Sequence, residues 1–326
     1  MSNRRVAQIE AATEGNGSFS KVIPGLQVFL DSTSLGAFKE CPRKYFLSVV
    51  LGWQPRAQSV HLTFGLLIHG AREQYEHARS AEQDHETSLA RAVRWSLEQT
   101  WDAGLGRGWA SDHPTKNRLT LVRSVVWYLD EFGAGDSMET IQLADGKPAI
   151  EVSFKFDSGL RAAATDEQIF FCGHLDRIAR FSDQLYVVDI KTTGSTISSK
   201  FFSDFTPGNQ FSMYALAGQV GLALPVRGVI VDGMQIAAGF TRSLRGLVNR
   251  SNSQLNEWLA EAGWWTRQMS DCAERADWPQ NDKNCHMYGG CQFRSVCSRS
   301  PGARQIELDQ HFTKRVWDPT VARGDI

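Results

Sequence analysis

The sequence predicts an α/β fold on three observations. Strand-like apolar runs occupy residues 149–156, 168–181, 184–190 and 226–231, and amphipathic helical stretches precede and follow them. The short polar interval Ser182-Asp183-Gln184 joins two of the runs as a hairpin. In chain order, Asp31, Ser32 and Thr33 offer amino-terminal caps to a helix through Leu35, Phe38, Tyr45, Phe46 and Val49. Pro42 is awkward in a helix interior, so this stretch is expected to kink after Lys39 or to split into two short helices that present Cys41 at the irregularity. A second helix is expected from about Phe64 through Ala78; it carries His69, with Gly65 one turn earlier on the same face. Residues 82–132 read as two or more helices interrupted by a loop at 104–108. Beyond the hairpin come a helix over 208–218, the strand at 226–231 and a long amphipathic helix over 254–272.

With 326 residues, 42% hydrophobic and 22% charged, the chain has ample material for a core. The expected organisation is a disordered amino terminus over 1–25, a single domain over 26–300 with a helical subdomain at 80–140, and a tail over 301–326. No apolar leader and no run of about eighteen apolar residues is visible, which points to a cytoplasmic protein without a membrane partner. A net charge of −1 argues against a globally basic nucleic-acid coat and leaves room for a local basic groove. There is no internal repeat and no phosphate-binding loop of the Gly-x-x-x-x-Gly-Lys-Ser/Thr type, so no nucleotide motor is encoded.

The chemistry concentrates between Gly173 and Lys191. Antiparallel pairing of the hairpin strands brings Asp176, near the start of the first, to Asp189, near the end of the second. Two facing carboxylates repel unless one is protonated or a cation lies between them, and hard divalent ions such as Mg²⁺ take oxygen ligands of this kind. Lys191 lies two residues beyond Asp189 and so shares its face. Asp145-Gly146-Lys147 has the same Asp-x-Lys spacing, but its flanking Gly and Pro mark a turn.

Taken in order, His69, Asp176, Asp189-Ile190-Lys191 and Gln210-Phe-Ser-Met-Tyr214, with the opening Ser34-Leu-Gly-Ala-Phe-Lys-Glu-Cys41-Pro42-Arg43-Lys44-Tyr45, resemble the RecB-like and Cas4-like branch of the PD-(D/E)XK nuclease superfamily. The resemblance implies a restriction-endonuclease-like core, a central mixed sheet flanked by helices. It also implies that His69, Asp176, Asp189 and the backbone carbonyl of Ile190 bind a catalytic Mg²⁺ or Mn²⁺, and that Lys191 is the catalytic lysine. Gln210 and Tyr214, four apart on a helix, face one groove and position DNA or the catalytic groups. Glu151 is an additional acid for the metal, and His174 a competing imidazole. Arg43, Lys44, Arg72, Lys200, Arg294 and Arg299 could contact phosphates and Trp53 or Phe202 could stack on bases, without a site assignment for any of them.

Cysteines form the second constellation. Cys285, Cys291 and Cys297 recur with five residues between each, which suggests soft-metal chemistry. The resemblance adds Cys41 and implies a [4Fe-4S] cluster on Cys41, Cys285, Cys291 and Cys297 that staples the first helix to the last segment. Zn²⁺ is the chemical alternative, although paired Cys-x-x-Cys knuckles are missing. Cys172 and Cys272 read as small core residues. The function implied is a metal-dependent exonuclease or single-strand nuclease of recombination, repair or phage DNA processing, acting on single-stranded DNA or duplex ends. Any helicase or recombination partner would be a separate chain. The alternative is a catalytically silent DNA-binding or assembly subunit that retains the nuclease fold.

Overall fold

A computed structural model gives the fold and describes residues 3–57 and 59–321; residues 1–2 of the expected disordered terminus and 322–326 of the expected tail lie outside the described residues. The chain forms two compact units. One comprises Gln58–Val152 and His174–Arg250; the other comprises Ser153–Gly173 with the segments up to Ala57 and from Ser251 onward. The main elements of the chain are helices α1 (Val60–Ser80), α2 (His85–Gln99) and α3 (Arg118–Phe132), strands β1 (Ile150–Arg161), β2 (Gln168–Phe181) and β3 (Gln184–Thr193), helix α4 (Asn209–Leu216), strands β4 (Val226–Ile236) and β5 (Thr241–Val248), and helix α5 (Asn252–Arg275).

In the first unit the hairpin sets the sheet. Ser182 and Asp183 both have positive φ, 46° and 60°, as the two-residue turn that matches strand twist requires. Strands β2 and β3 therefore pair antiparallel, from Phe181 opposite Gln184 to Arg177 opposite Val188. Strand β4 joins β3 in parallel, which needs a crossover and obtains it through α4. Strand β5 closes the order antiparallel to β4, so the sheet is mixed. Phe64, Ile68 and Tyr75 of α1 and Leu121, Val125 and Leu129 of α3 form a buried cluster with Ile190 of β3 and with Met234 and Ile236 of β4. Gly70 permits the approach of α2, since a Cβ there would lie 2.1 Å from the Trp95 ring.

The second unit begins with a helix over Asn3–Thr13, within the stretch expected to be disordered. Composition hides it, and burial of Ile9 to 1% exposure holds it. The expected irregularity at Pro42 is a break: a helix over Ser32–Glu40, capped by Asp31 accepting from the Ser34 N–H at 3.0 Å, stops at Cys41 in extended conformation, and Pro42 opens a second helix, Pro42–Tyr45. Trp278, 1% exposed, packs against Phe38, Tyr45 and Phe46 with ring centroids 5.5–6.2 Å apart. Trp53 is buried at 6% exposure beneath the Lys314 ammonium, which withdraws it from base stacking. The expected tail contains a helix over Arg304–His311 and a strand over Phe312–Lys314 that pairs with Trp53–Pro55. Among the described residues, no helix is long and apolar enough to cross a membrane.

Candidate metal centre

The ladder between β2 and β3 runs up to Arg177 and Val188, so Asp176 and Asp189 take the next facing positions. Asp189 is 1% exposed. The Lys191 ammonium lies 2.8 Å and 3.0 Å from its two carboxylate oxygens and 5.6 Å from the centre of the Phe211 ring. On α4, Gln210 donates from Nε2 to the Tyr214 hydroxyl at 2.9 Å and to Asp189 Oδ1 at 3.5 Å. Burial pushes the Asp189 carboxyl up to about 6; Lys191 opposes the shift and the Asp176 charge adds to it.

Helix α1 brings the imidazole. His69 Nδ1 is 2.9 Å from Asp176 Oδ2, and Nε2 is 3.0 Å from the Ile190 carbonyl oxygen. Burial by itself lowers the His69 pKa, but the charge and hydrogen bond of Asp176, with Asp189 behind, outweigh it and raise the group to about 9. The imidazolium thus bridges two of the oxygens that the sequence nominates for a metal. Gly65 faces the Thr192 hydroxyl just past Lys191, at a distance of 4.0 Å from its Cβ position that a methyl group would also accept.

Glu151 completes the arrangement. Ligand atoms of His69, Glu151 and Asp176 all lie within 4.8 Å of one another, and among the described residues no other set of three His, Cys, Asp or Glu side chains does so. Glu151 adopts φ 48° inside a strand. A left-handed residue breaks strand alternation and re-aims its side chain, at a cost of about 1–3 kcal/mol that tends to be tolerated at functional sites. His174 is not in this set. Asp145 and Lys147 form the expected turn, with Asp145 Oδ1 accepting from the Lys147 N–H at 3.0 Å and Gly146 at φ 81°.

Beside the site lies a buried charge network that sequence reading did not find. Arg72, weighed as a phosphate contact, is 6% exposed and its Nε is 2.6 Å from Glu76 Oε1. Glu76 also faces Arg177 Nε at 3.3 Å. Tyr128 donates to Asp232 at 2.7 Å, and Arg245 pairs with Asp232 at 2.6 Å and Asp136 at 2.9 Å. The signal available in the sequence was Arg177 beside Asp176 in an otherwise apolar strand, matched by Glu76 on the helix of His69.

In the other unit, Cys41 sits at the helix break and the late cysteines follow α5. The Asn281 N–H reaches Cys41 Sγ at 3.3 Å, the Asn281 amide donates to the Glu40 carbonyl at 2.9 Å, and the Arg43 N–H donates to the Pro279 carbonyl at 3.1 Å. Burial pushes the Cys285, Cys291 and Cys297 thiols up, and charge on neighbouring cysteines of the set, Cys41 included, adds to it. Cys41 and Cys285 both meet Asn281, the latter at 3.9 Å from its carbonyl, but among the described residues no cysteine belongs to a set of three that could hold a metal ion, and no cluster is evident. Cys172 is buried as expected; Cys272 is only partly so.

The chain has no match among curated proteins. Among solved structures it is similar to a candidate exonuclease from Eubacterium rectale, at 12% identity and TM-score 0.49, over 84% of this chain and 89% of that one. It is also similar to SSO0001, at 10% identity and TM-score 0.33, over 90% and 94%. Neither similarity is strong enough to carry an argument. The family comparison is: the model of the PD-(D/E)XK nuclease superfamily matches residues 32–298, a span that takes in Cys41, both acids of the hairpin, the α4 pair and Cys297. By that match, the chain belongs to the PD-(D/E)XK nuclease superfamily.

Proposed function

We propose that the chain is a divalent-metal-dependent deoxyribonuclease that hydrolyses phosphodiester bonds at DNA ends or in single strands, in recombination, repair or phage DNA processing. The observation that carries this reading is the convergence of His69, Glu151 and Asp176 within 4.8 Å, beside the buried Asp189 and its lysine. The donor set suits the ion: carboxylates, a carbonyl and one imidazole make a mainly hard site of the kind Mg²⁺ or Mn²⁺ occupies. A cation held by His69, Asp176, Asp189, the Ile190 carbonyl and Glu151 supplies Lewis acidity, acidifying water and neutralising phosphate charge. Lys191, fixed by Asp189 yet partly exposed, presents an ammonium that orients the water or meets charge developing on the phosphoryl oxygens. Gln210 donates to both Asp189 and Tyr214 and so holds carboxylate and phenol on one wall for the substrate.

Digestion of end-labelled single- and double-stranded DNA with Mg²⁺ or Mn²⁺ tests the proposal and reports strand preference and polarity on the same gel. Wild type is expected to shorten at least one substrate, and Asp176→Ala to lose about 10²-fold or more. Equal inertness of the two across all substrates and metals would leave only the silent DNA-binding subunit.

The metal should also bind with a distinct pH dependence. A ligating imidazole must be neutral, whereas His69 is protonated below about 9. Each pH unit below that value therefore costs roughly tenfold in affinity for a site that displaces one proton. Below about 6 the Asp189 proton competes as well. Mn²⁺ titrations from pH 6 to 9 are expected to show affinity rising throughout, with proton release on binding; a flat profile would remove His69 from the ligand set.

The four cysteines hold a [4Fe-4S] cluster in this reading. Zn–S bonds of about 2.3 Å would place tetrahedral thiolates about 3.8 Å apart. The cluster reading rests on the family resemblance and on Asn281, whose N–H meets Cys41 Sγ at 3.3 Å and whose carbonyl lies 3.9 Å from Cys285 Sγ.

A further inference from the structure

We propose that Arg177 and Glu76 are a positioning pair that sets the separation of His69 and Asp176, and through it the affinity of the site for its divalent cation. The inference rests on the metal-dependent reading above. His69, Arg72 and Glu76 lie at i, i+3 and i+7 on one stripe of α1. That stripe meets two adjacent residues of β2: His69 meets Asp176 at 2.9 Å, and Glu76 meets Arg177 at 3.3 Å. Seven helical residues span about 10.5 Å, whereas adjacent strand residues are about 3.3 Å apart. Two contacts with so different a spacing fix both the rotation and the slide of the helix against the strand.

The second contact is built to be rigid. Glu76 and Arg177 are each 5% exposed. Glu76 also takes Arg72 Nε at 2.6 Å and accepts from the Thr140 hydroxyl at 2.7 Å. Arg177 donates to Thr140 Oγ1 at 2.8 Å and to the Met138 carbonyl at 3.0 Å, and lies 3.9 Å from Asp136. Removing either charge leaves its partner buried and short of compensation. A cavity of about 20 Å³ touches His69, Glu151 and Asp176 together with Arg72, Glu76 and Arg177. It has room for about one water molecule, hence slack into which these side chains relax once the pair is cut. Site groups displaced by an ångström lose much of their function, and partners behind metal ligands typically govern 10–100-fold in affinity.

The test is Mn²⁺ binding by isothermal titration, without substrate, to wild type, Arg177→Met, His69→Ala and the double variant, each checked by circular dichroism and cooperative melting. Arg177→Met is expected to bind Mn²⁺ about tenfold more weakly while keeping its fold, and to add less than twofold in the His69→Ala background, because it acts through the His69–Asp176 gap. Arg177→Lys, which restores a cation opposite Glu76, should recover part of the loss. Affinity within twofold of wild type in Arg177→Met, or an equal loss with and without His69, would overturn the proposal. Should Arg177→Met fail to fold, Glu76→Gln, which keeps the shape and the Thr140 bond, carries the same expectations. Wild type that takes up no Mn²⁺ would overturn the metal-dependent reading as well, whereas wild type that binds while Arg177→Met binds equally would overturn the positioning pair alone.

Discussion

Asp189→Asn is expected to reduce phosphodiester hydrolysis by about 10³-fold while leaving the protein at least as stable as the parent at pH 8. The two effects have one cause. Asp189 is 1% exposed, lies one residue beyond the last ladder pair, Arg177 with Val188, and feels the Asp176 charge. Its carboxyl, with an ordinary value of 3.8, is raised to about 6 in the folded protein. The folded state therefore holds that proton more tightly than the unfolded chain, so stability falls as pH rises from about 4 through 6, and the charge remains a cost above that. Asparagine keeps the shape without the charge. It leaves Lys191 unpaired, but that side chain is 27% exposed and reaches water. A gain of about 1 kcal/mol is expected, read from melts at pH 8 without divalent metal. Single-turnover digestion gives the other half. A variant retaining a tenth of parental activity would remove Asp189 from the catalytic set, and a clear loss of stability would show that the Lys191 pair outweighs the burial of charge.

Replacing Cys41 or Cys291 by serine is expected to strip iron and sulfide from protein purified without oxygen and to destabilise the unit that contains them, on the order of 5 kcal/mol or more. The tie between the helix break and the segment after α5 otherwise rests on a few contacts, among them Arg43 to Pro279 and Asn281 to Glu40, and on the aromatic packing around Trp278. The half-buried Cys291 and Cys297 thiols, with pKa values raised by desolvation, stay protonated and contribute little beyond packing; as ligands they become covalent anchors. Iron and acid-labile sulfide analysis and thermal melts of parent and variants check this. Colourless parental protein with stoichiometric zinc would replace the cluster by Zn²⁺, and a serine variant that melts with the parent would leave the thiols as packing groups.

Much of the site was legible because its parts are local. A short polar interval, Ser182-Asp183-Gln184, between apolar runs brings Asp176 and Asp189 to the same end of the hairpin, just past the Arg177–Val188 pair, and alternation puts Lys191 beside Asp189. The break at Cys41 follows from one proline. Strand β5 was not among the predicted elements, its segment carrying no continuous apolar run; it is a strand because β4 supplies its ladder and Asp232 and Asp136 take the charge of Arg245. The helix over Asn3–Thr13 was hidden in the same way, since one buried isoleucine outweighs a polar composition.

The sequence by itself determined the α/β class, the hairpin, the order of the motifs and the placing of Asp176 and Asp189 at one end of adjacent strands, because turn chemistry and strand period act over a few residues. Tertiary structure alone decided that Glu151 turns toward His69 and Asp176, that Arg72 is buried rather than offered to phosphate, and that Glu76 meets Arg177. Each of these is a long-range pairing. A charged residue reads the same in sequence whether water or a buried counter-charge solvates it, and only the packing of α1 against the sheet determines which.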